Sequence, residues 1–219
     1  MITKLKMIMN RMRLRLYSAE RLFTRIYSRN SWRDAESRSG TGSNMNNTAR
    51  VRAELPGLLK NLEAQSLLDI PCGDLYWIKN LDLGVNEYIG ADIVKEIVES
   101  NQQKFGSTTR TFIHLNLLKD ELPRVDVVLC RDCLVYFSNA DIMRALQNIK
   151  KSQSKYLLTT SFSHPAVNED IVMGEWRPIN LQAPPMFLPA PMMVIYEDYT
   201  GKVNYPDKVL ALWRISDLP

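Results

Sequence analysis

The chain has 219 residues, of which 45% are hydrophobic and 24% are charged, a composition typical of a globular domain with a buried core. No apolar stretch approaches the roughly 20 residues that a membrane-spanning helix needs. A chain of this length does not need its three cysteines as a disulfide framework. We therefore expect a protein of a reducing compartment, with a cytoplasmic location.

Positive charge is concentrated in the N-terminal quarter of the chain. Residues 1–52 hold 12 Lys and Arg against 3 Asp and Glu, whereas residues 53–219 hold 16 against 21. The net charge of +4 therefore combines a basic segment of +9 with a mildly acidic body of −5. An acidic body argues against a broad nucleic-acid-binding face on the main domain.

Residues 1–30 predict a basic amphipathic helix, because apolar side chains recur at helical spacing between Lys and Arg. The apolar positions are Leu5, Ile8, Met9, Met12, Leu16, Leu22, Phe23 and Ile26. Three interpretations stay open: a helix docked on its own domain, a helix that contacts an anionic membrane surface or a protein partner, and a targeting segment that is removed. Residues 31–49 are small and polar and predict a loop.

Residues 50–219 predict one α/β domain. Residues 48–63 carry an apolar helical pattern, which Pro56 and Gly57 divide into two short helices. Short apolar or β-rich runs follow at 67–70, 88–91, 111–113, 125–129 and 156–160, with helical stretches at 75–81, 94–105 and 139–152. Because apolar strands alternate with helices, we expect a Rossmann-like, mostly parallel sheet with helices on both faces.

The pattern changes after the fifth run. Residues 164–191 contain six prolines and predict a long loop, which we expect to close over a bound ligand together with residues 31–43. Residues 192–198 and 208–215 predict two more strands, which form an antiparallel C-terminal pair. The complete sheet then has seven strands.

The clearest functional signal follows three predicted parallel strands. Gly73, in the segment 69–74 after the first strand, allows close approach of the backbone to a ligand, and the helix predicted next would direct free N–H groups at an anion. Asp92 ends the second strand, where a carboxylate can accept hydrogen bonds from the two hydroxyls of a ribose. Asn116 follows the third strand and could accept from an adenine amino group. Together these residues predict an adenosine-bearing ligand.

The charge near the first strand distinguishes two such ligands. A dinucleotide needs a glycine-rich turn that admits its pyrophosphate, whereas this chain has one glycine there and places Asp74 beside it. S-adenosylmethionine carries no phosphate and tolerates an acid near its ammonium group. We therefore expect S-adenosylmethionine as the cofactor.

These segments resemble class I S-adenosylmethionine-dependent methyltransferases. Residues 67–74 (LLDIPCGD) are similar to the first motif of that family, residues 88–93 (YIGADI) to its second strand with the ribose-binding acid, residues 115–117 to its adenine-contact segment, and residues 125–137 to its fourth strand. Two positions depart from the family pattern. Asp74 stands where a second glycine is usual, and Asn116 stands where an acid is commoner.

The resemblance implies a set of cofactor-binding residues. In that family's arrangement Gly73 would lie against the cofactor, Asp92 would hold the ribose, and backbone at Cys130 or Arg131 would meet the methionyl amine. The whole implied set is Asp69, Pro71, Cys72, Gly73, Asp74, Asp92, Ile93, Asn116, Leu117 and Cys130.

Candidates for the methyl acceptor's side follow the fourth and fifth strands and lie in the long loop. His164 is the first choice for a general base because of its ordinary pKa, Asp132 is the second, and Arg131 could pair with Asp132 or bind an acidic acceptor. Substrate contacts are predicted for Tyr136, Glu175, Trp176 and Arg177. The fourth strand is not followed by the Asn/Asp-Pro-Pro-aromatic motif of nucleobase N-methylation. We therefore expect O-methylation of a small-molecule or glycan hydroxyl.

Other interpretations stay open. RNA could be the acceptor, with the basic N-terminal helix as an electrostatic arm, or the protein could be a non-catalytic adaptor with a degenerate pocket. Asn116 and His164 could instead be ordinary turn residues. Cys72, Cys130, Cys133 and His164 would suffice for a zinc site by number, but a single C-x-x-C pair in an apolar strand favours buried thiols and no metal.

Overall fold

A seven-stranded sheet organises the chain. The structure is a computed structural model, and it describes residues 9, 11–200 and 204–219. The strands are β1 (Ser66–Asp69), β2 (Glu87–Asp92), β3 (Arg110–His114), β4 (Val127–Cys130), β5 (Tyr156–Ser161), β6 (Met193–Tyr196), β7 (Tyr199–Thr200), β8 (Asn204–Tyr205) and β9 (Val209–Arg214). The strands β7 and β8 form a separate two-stranded ribbon.

The strand order places a crevice at the centre of the sheet. In the order β3-β2-β1-β4-β5-β9-β6, the first five strands of the chain are mutually parallel, and β9 runs antiparallel between β5 and β6. The strands β2 and β3 lie on one side of β1, whereas β4 and β5 lie on its other side, so the strand order reverses between β1 and β4. Ligands bind at such a reversal, outside the carboxyl ends of the strands. The predicted fold class, including the antiparallel C-terminal pair, is confirmed.

Helices cover both faces of the sheet, as predicted. They are α1 (Ala19–Ser28), α2 (Ala49–Asn61), α3 (Lys95–Phe105) and α4 (Asn139–Lys151). Adjacent strand residues alternate between the faces, so Leu67 packs in the same apolar cluster as α2 and α3, whereas Leu68 packs with α4. The Ser18 hydroxyl accepts a hydrogen bond from Arg21 N–H at the start of α1, and Ser138 accepts from Asp141 N–H at the start of α4.

Two helix predictions were wrong. Residues 49–61 form one continuous helix, because Pro56 is only half-buried and the buried face of Val51, Leu55, Leu58 and Leu59 holds the helix together across it. Residues 75–81 form a series of turns instead of a helix. Leu75 has a left-handed φ of 57°, and the Asp74 carboxylate accepts a hydrogen bond from Tyr76 N–H, so the chain forms isolated turns there and no regular helix.

The predicted N-terminal helix is interrupted. Residues 11–15 are helical, residues 16–18 are not, and α1 then begins at Ala19; residues 1–8 and 10 lie outside the described part of the chain. Leu22 of α1 is buried, and Phe23 packs against the apolar clusters on both faces of the sheet. Among the residues that the structure describes, no helix is long and apolar enough to cross a membrane.

The long loop packs into the core. Ile179, Leu181, Met186 and Leu188 are buried in the cluster that contains α4, and the side-chain amide of Asn168 donates to the carbonyl of Asn180 at 2.8 Å. Only Gly174 and Trp176 of this loop reach the cavity described below. Closure of residues 164–191 over a ligand stays a prediction, and Gly174 and Trp176 are the part of the loop that lies at the cavity.

Two glycines that have open space around them differ in their backbone conformation, and this difference can be tested by substitution. A Cβ added at Gly57 or at Gly84 would meet nothing within 4 Å, but Gly57 is helical whereas Gly84 has a φ of +67°. We expect Gly57→Ala to raise the free energy of unfolding by about 0.5–1 kcal/mol, because alanine is the better helix former. Gly84→Ala should lower it by about 1–2 kcal/mol, because an L side chain disfavours that φ. Urea denaturation measures the free energy of unfolding of both variants. Changes of the same sign would contradict the backbone conformations assigned to Gly57 and Gly84.

Candidate functional site

A cavity of about 730 Å³ opens at the carboxyl ends of β1, β2 and β4, where the strand order reverses. Its volume lies in the range of small-molecule sites, about 300–1,000 Å³. The predicted residues that line it are Asp69, Pro71, Cys72, Gly73, Asp92, Ile93, Asn116, Leu117, Arg131, Asp132, Tyr136 and Trp176. The predicted residues that do not line it are Asp74, Cys130, His164, Glu175 and Arg177.

Asp92 is a buried carboxylate in the cavity wall. It is 4% exposed, its Oδ2 accepts a hydrogen bond from Gly73 N–H (3.1 Å), and its Oδ1 accepts from Val94 N–H (2.9 Å). Burial raises the pKa of Asp92 to about 6, although the backbone N–H groups oppose that shift. The group is therefore mostly ionised at neutral pH, and each oxygen keeps a lone pair for a ligand.

Gly73 lies where a larger residue cannot fit. Its φ is +56°, and a Cβ there would lie 2.3 Å from the Ser39 hydroxyl oxygen. The side chain of Asn101 donates a hydrogen bond to the Gly73 carbonyl at 2.7 Å. The turn after β1 is thus held by Asn101 on one side and by Asp92 on the other.

Asp69 occupies the end of β1 beside this turn. Its Oδ2 accepts a hydrogen bond of 2.6 Å from the Tyr88 hydroxyl, and the residue is buried. Burial raises the pKa of Asp69 to about 7, against the effect of the Tyr88 hydrogen bond. The protonated and ionised forms of Asp69 are therefore both populated near neutral pH.

Asp74 points away from the cavity, which corrects its prediction as a cofactor contact. Its carboxylate accepts hydrogen bonds from Ser37 Oγ (2.9 Å), Arg38 N–H (2.8 Å) and Ser39 Oγ (3.2 Å). Its own N–H donates to Ser39 Oγ at 2.9 Å. The acid that replaces the usual second glycine thus anchors the N-terminal part of the chain.

The segment that Asp74 anchors forms one side of the cavity. We call residues 19–48 the roof segment; its lining residues are Ala19, Phe23, Tyr27, Trp32, Ser39, Gly40, Thr41, Gly42 and Ser43. At its C-terminal end, Asn47 Oδ1 accepts from Thr200 N–H (3.0 Å). A Cβ on Gly42 would lie 2.4 Å from Asp132 Oδ2, so the roof segment touches the end of β4 directly. The prediction that residues 31–43 cover the site agrees with this placement.

Asn116 lines the cavity but has a structural role as well. Its Oδ1 accepts from Leu118 N–H (2.9 Å), and its N–H donates to Asp120 Oδ2 (2.7 Å), so it forms an Asx turn. The oxygen predicted to meet an adenine amino group thus accepts one hydrogen bond within the turn and keeps a second lone pair. The neighbouring apolar side chains of Ile93 and Leu117 line the same part of the cavity.

Four charged side chains form a closed, alternating arrangement at the other end of the cavity, which we call the charge ring. Lys208 Nζ lies 2.8 Å from Asp132 Oδ1 and 3.1 Å from Glu197 Oε2. Arg131 Nη2 lies 2.5 Å from Glu197 Oε2, and Arg131 Nη1 lies 3.4 Å from Asp132 Oδ2. All but Glu197 line the cavity. The pairing predicted between Arg131 and Asp132 is present, with two partners that sequence reasoning missed.

The charge ring favours the ionised forms of Asp132 and Arg131. Burial by itself raises the pKa of Asp132, but the positive charges of Lys208 and Arg131 outweigh it and hold that pKa below its ordinary value. Burial likewise lowers the pKa of Arg131, and the carboxylates of Glu197 and Asp132 reverse this, so the net pKa is raised. Asp132 is the carboxylate of the ring with access to the cavity.

Aromatic rings surround the cavity end that holds Asp132. Trp176 and Tyr205 lie 5.1 Å apart between ring centroids, and Trp32 and Tyr136 lie 5.5 Å apart. Tyr199, whose ring lies 4.9 Å from Lys208 Nζ, completes the set. All five line the cavity, and Trp176 is 41% exposed. This end is therefore lined by aromatic rings beside the charged side chains of Asp132, Arg131 and Lys208.

The remaining predicted acceptor-side residues have other environments. His164 is exposed in the long loop, and its backbone N–H donates to Asp207 Oδ2 (3.1 Å). This position outside the cavity argues against His164 as the base. Glu175 Oε1 pairs with Arg11 Nε at 2.9 Å. Arg177 donates to the Val135 carbonyl (3.2 Å) and to Asn139 Oδ1 (2.9 Å), so it ties the loop to α4. Substrate contacts predicted for Glu175 and Arg177 do not match these positions.

The cysteines are free and buried. Cys72 lines the cavity, and burial raises its pKa well above the ordinary value. Cys130 belongs to β4 and does not reach the cavity, which corrects its predicted cofactor contact. Within the described residues, no group of three or more His, Cys, Asp or Glu is arranged to hold a metal ion.

Some site residues carried a signal that sequence reasoning did not use. Glu197 and Lys208 are charged residues at the ends of apolar runs, and such residues are almost never buried without a partner. Trp32, Tyr199 and Tyr205 carried no comparable signal, because only the fold brings the loop, the ribbon and the sheet end together.

The anchoring role of Asp74 can be measured by proteolysis. In Asp74→Ala, loss of the hydrogen bonds to Ser37, Arg38 and Ser39 should increase trypsin cleavage after Arg38 by roughly tenfold, because each bond to a charged acceptor contributes about 1.5–3 kcal/mol. Timed digestion followed by mass spectrometry gives the rate. Asp82→Ala is the matched control, since Asp82 accepts from Gly84 N–H in an exposed turn. Equal cleavage rates in both variants would contradict the anchor.

Comparisons with known proteins give the fold its name. No protein-family model and no curated protein sequence matches the chain. Among solved structures, the N-methyltransferase NodS from Bradyrhizobium japonicum WM9 is similar with a TM-score of 0.55 and 14% identity, over 77% of this chain and 96% of that one. Human N-acetylserotonin methyltransferase in complex with S-adenosylmethionine has a TM-score of 0.54 and 13% identity, over 74% of this chain and 51% of that one.

A third similar structure is magnesium protoporphyrin IX methyltransferase from Synechocystis PCC 6803 with bound S-adenosylmethionine. Its TM-score is 0.53 and its identity 11%, over 77% of this chain and 81% of that one. At such identities the similarity establishes the architecture alone. The chain has the fold of class I S-adenosylmethionine-dependent methyltransferases.

Proposed function

We propose that this protein is an S-adenosylmethionine-dependent methyltransferase that methylates a hydroxyl group of a small molecule or glycan. The observation that carries the proposal is Asp92, a buried carboxylate that is held by the backbone N–H of Gly73 and lies in the wall of the cavity. In this fold that position suits a ribose, because a fixed carboxylate accepts hydrogen bonds from both of its hydroxyls.

The residues of the cavity fit the proposed cofactor. Asp92 would hold the ribose, Ile93 and Leu117 would contact the adenine, and the turn at Gly73 would lie against the middle of the molecule. The described residues between β1 and β2 form turns, so they offer a pyrophosphate neither the glycine-rich turn nor the helix N-terminus of a dinucleotide site. This favours S-adenosylmethionine over a dinucleotide.

Asp132 is the best-placed base for the reaction. When bound, S-adenosylmethionine supplies a methyl group on a positively charged sulfur, which a nucleophile can attack in line. The Asp132 carboxylate, kept ionised by Lys208 at 2.8 Å, would accept the hydrogen bond and then the proton of the acceptor hydroxyl. Contact between Gly42 and Asp132 would help to exclude water from that step.

The aromatic end of the cavity supports a ring-shaped acceptor. The exposed face of Trp176, beside Tyr205, offers a stacking surface at the cavity, and Tyr136 and Tyr199 add hydroxyl groups. A sugar or another small ring stacked there would present a hydroxyl toward Asp132. Trp176 is thus the predicted substrate contact that the placement favours most.

The ribose assignment predicts a pH-dependent affinity. Because the pKa of Asp92 is about 6, a falling pH adds a proton that removes an acceptor site. Affinity for S-adenosylhomocysteine should therefore fall by up to about tenfold per pH unit below that value. Isothermal titration calorimetry between pH 5 and 8 measures it. Asp92→Asn should weaken binding at least about tenfold at pH 8, since hydrogen bonds to a charged group contribute about 1.5–3 kcal/mol.

The controls separate Asp92 from its neighbours. Asp92→Asn should lose the pH dependence near 6 and keep any dependence near 7 that comes from Asp69. Asp82→Asn, an exposed acid outside the cavity, should keep both the wild-type affinity and its pH profile. Wild-type binding by Asp92→Asn at pH 8 would overturn the ribose assignment.

The base assignment predicts opposite results for two variants. Asp132→Asn should slow methyl transfer by about 100-fold or more, the usual contribution of a general base, while affinity for S-adenosylhomocysteine stays within a few-fold of the wild type. His164→Ala, outside the cavity, should keep the wild-type rate. The rate is measured as S-adenosylhomocysteine release with a panel of sugars and phenols. The reverse pattern would assign the base to His164.

A further inference from the structure

An apolar stripe on the N-terminal helical turn is exposed to solvent. Met9, Met12 and Leu16 are 62%, 63% and 81% exposed, although each is a large apolar side chain. They lie three and four residues apart around the helical residues 11–15, so they share one side. Clustered exposed apolar residues next to polar ones mark interaction sites.

An ion pair holds this stripe outward. Arg11 Nε lies 2.9 Å from Glu175 Oε1, which tethers the turn to the long loop of the domain. At about 100° per residue, Arg11 lies about 100–160° around the helix from the three apolar residues. The ion pair is therefore on the side of this turn that faces the domain, whereas Met9, Met12 and Leu16 are exposed to solvent.

Exposed arginines surround the stripe and continue along the roof segment. Arg13 and Arg15 are exposed on the same turn, and Arg21 and Arg29 are exposed on or just after α1. The arginines at 21 and 25 both stack on the Tyr17 ring, at 5.2 and 5.7 Å. Residues 1–52 carry +9 against −5 for the rest of the chain. Attraction to a negative surface would therefore orient the molecule with this end toward it.

We propose that Met9, Met12, Arg13 and Leu16, which we call the N-terminal face, dock this protein on an anionic membrane surface. Apolar side chains would enter the boundary between headgroups and acyl chains, while the arginines pair with lipid phosphates and anionic headgroups. RNA or an acidic protein would satisfy the arginines but leave the methionines and leucine exposed. The stripe therefore favours the bilayer over a polyanion.

Vesicle sedimentation of the full chain tests this docking. Phosphatidylcholine vesicles with phosphatidylserine should pellet the protein, vesicles of phosphatidylcholine alone should pellet at least about tenfold less, and added salt should release it. The double variant Met12→Asp/Leu16→Asp should reduce pelleting with phosphatidylserine at least tenfold. Val167→Asp is the matched control, because Val167 is 64% exposed and lies in the long loop; it should bind like the wild type.

Four results would overturn the proposal. The wild type could stay in solution with phosphatidylserine vesicles; Val167→Asp could lose binding as strongly as the double variant; or the double variant could still pellet like the wild type, so that charge alone accounts for binding. Stronger binding to RNA or polyglutamate than to vesicles would also overturn it. Circular dichroism of each variant checks that these exposed substitutions leave the fold intact. The proposal does not depend on methyl transfer, and S-adenosylhomocysteine affinity tests that separately.

Discussion

The turn at Gly73 is the constraint on which the candidate site depends. The turn must bring a backbone N–H to the Asp92 carboxylate and also let the roof segment approach at Ser39. A left-handed φ without a side chain satisfies both requirements, and Asn101 holds the carbonyl from the other side. Because Asp92 sits in a buried wall, its charge is stable only with these partners. The turn, the ribose-type carboxylate and the roof segment therefore form one interdependent unit.

The charge ring is the second element that requires several parts of the chain. Arg131 and Asp132 come from the end of β4, whereas Glu197 and Lys208 come from the C-terminal strands, so the antiparallel insertion of β9 is what closes the ring. Removing one member of such a buried arrangement leaves an uncompensated charge, which costs about 3–5 kcal/mol. Asp132→Asn keeps the size of the side chain but leaves Arg131 and Lys208 with one carboxylate, so its effect on stability must be measured together with its effect on the reaction rate.

The fold and the cofactor end could be predicted from local pattern, but the acceptor end could not. Clear apolar runs in the sequence mark the strands that lead to Asp69, Gly73 and Asp92. Parallel strands have their carboxyl ends at the same edge of the sheet, so these residues lie close together. The helix expected over residues 75–81 failed because Asp74 bonds locally to Tyr76 and to the roof segment, a long-range contact invisible in the sequence. Only tertiary packing brings Trp32, Tyr199 and Lys208 into the cavity that Asp132 lines. His164 looked attractive as a base for its chemistry alone.

The close contacts of Ser39 with Gly73 and of Gly42 with Asp132 bear on where a domain boundary can be drawn in the chain. The predicted boundary at residue 50 falls where the composition changes, yet residues 19–48 supply a wall of the same cavity. Removing those residues would leave Asp92 and the neighbouring apolar wall open to bulk water. A variant that contains residues 50–219 alone would therefore lack one side of the cavity, and its ligand affinity would say little about that of the 219-residue chain.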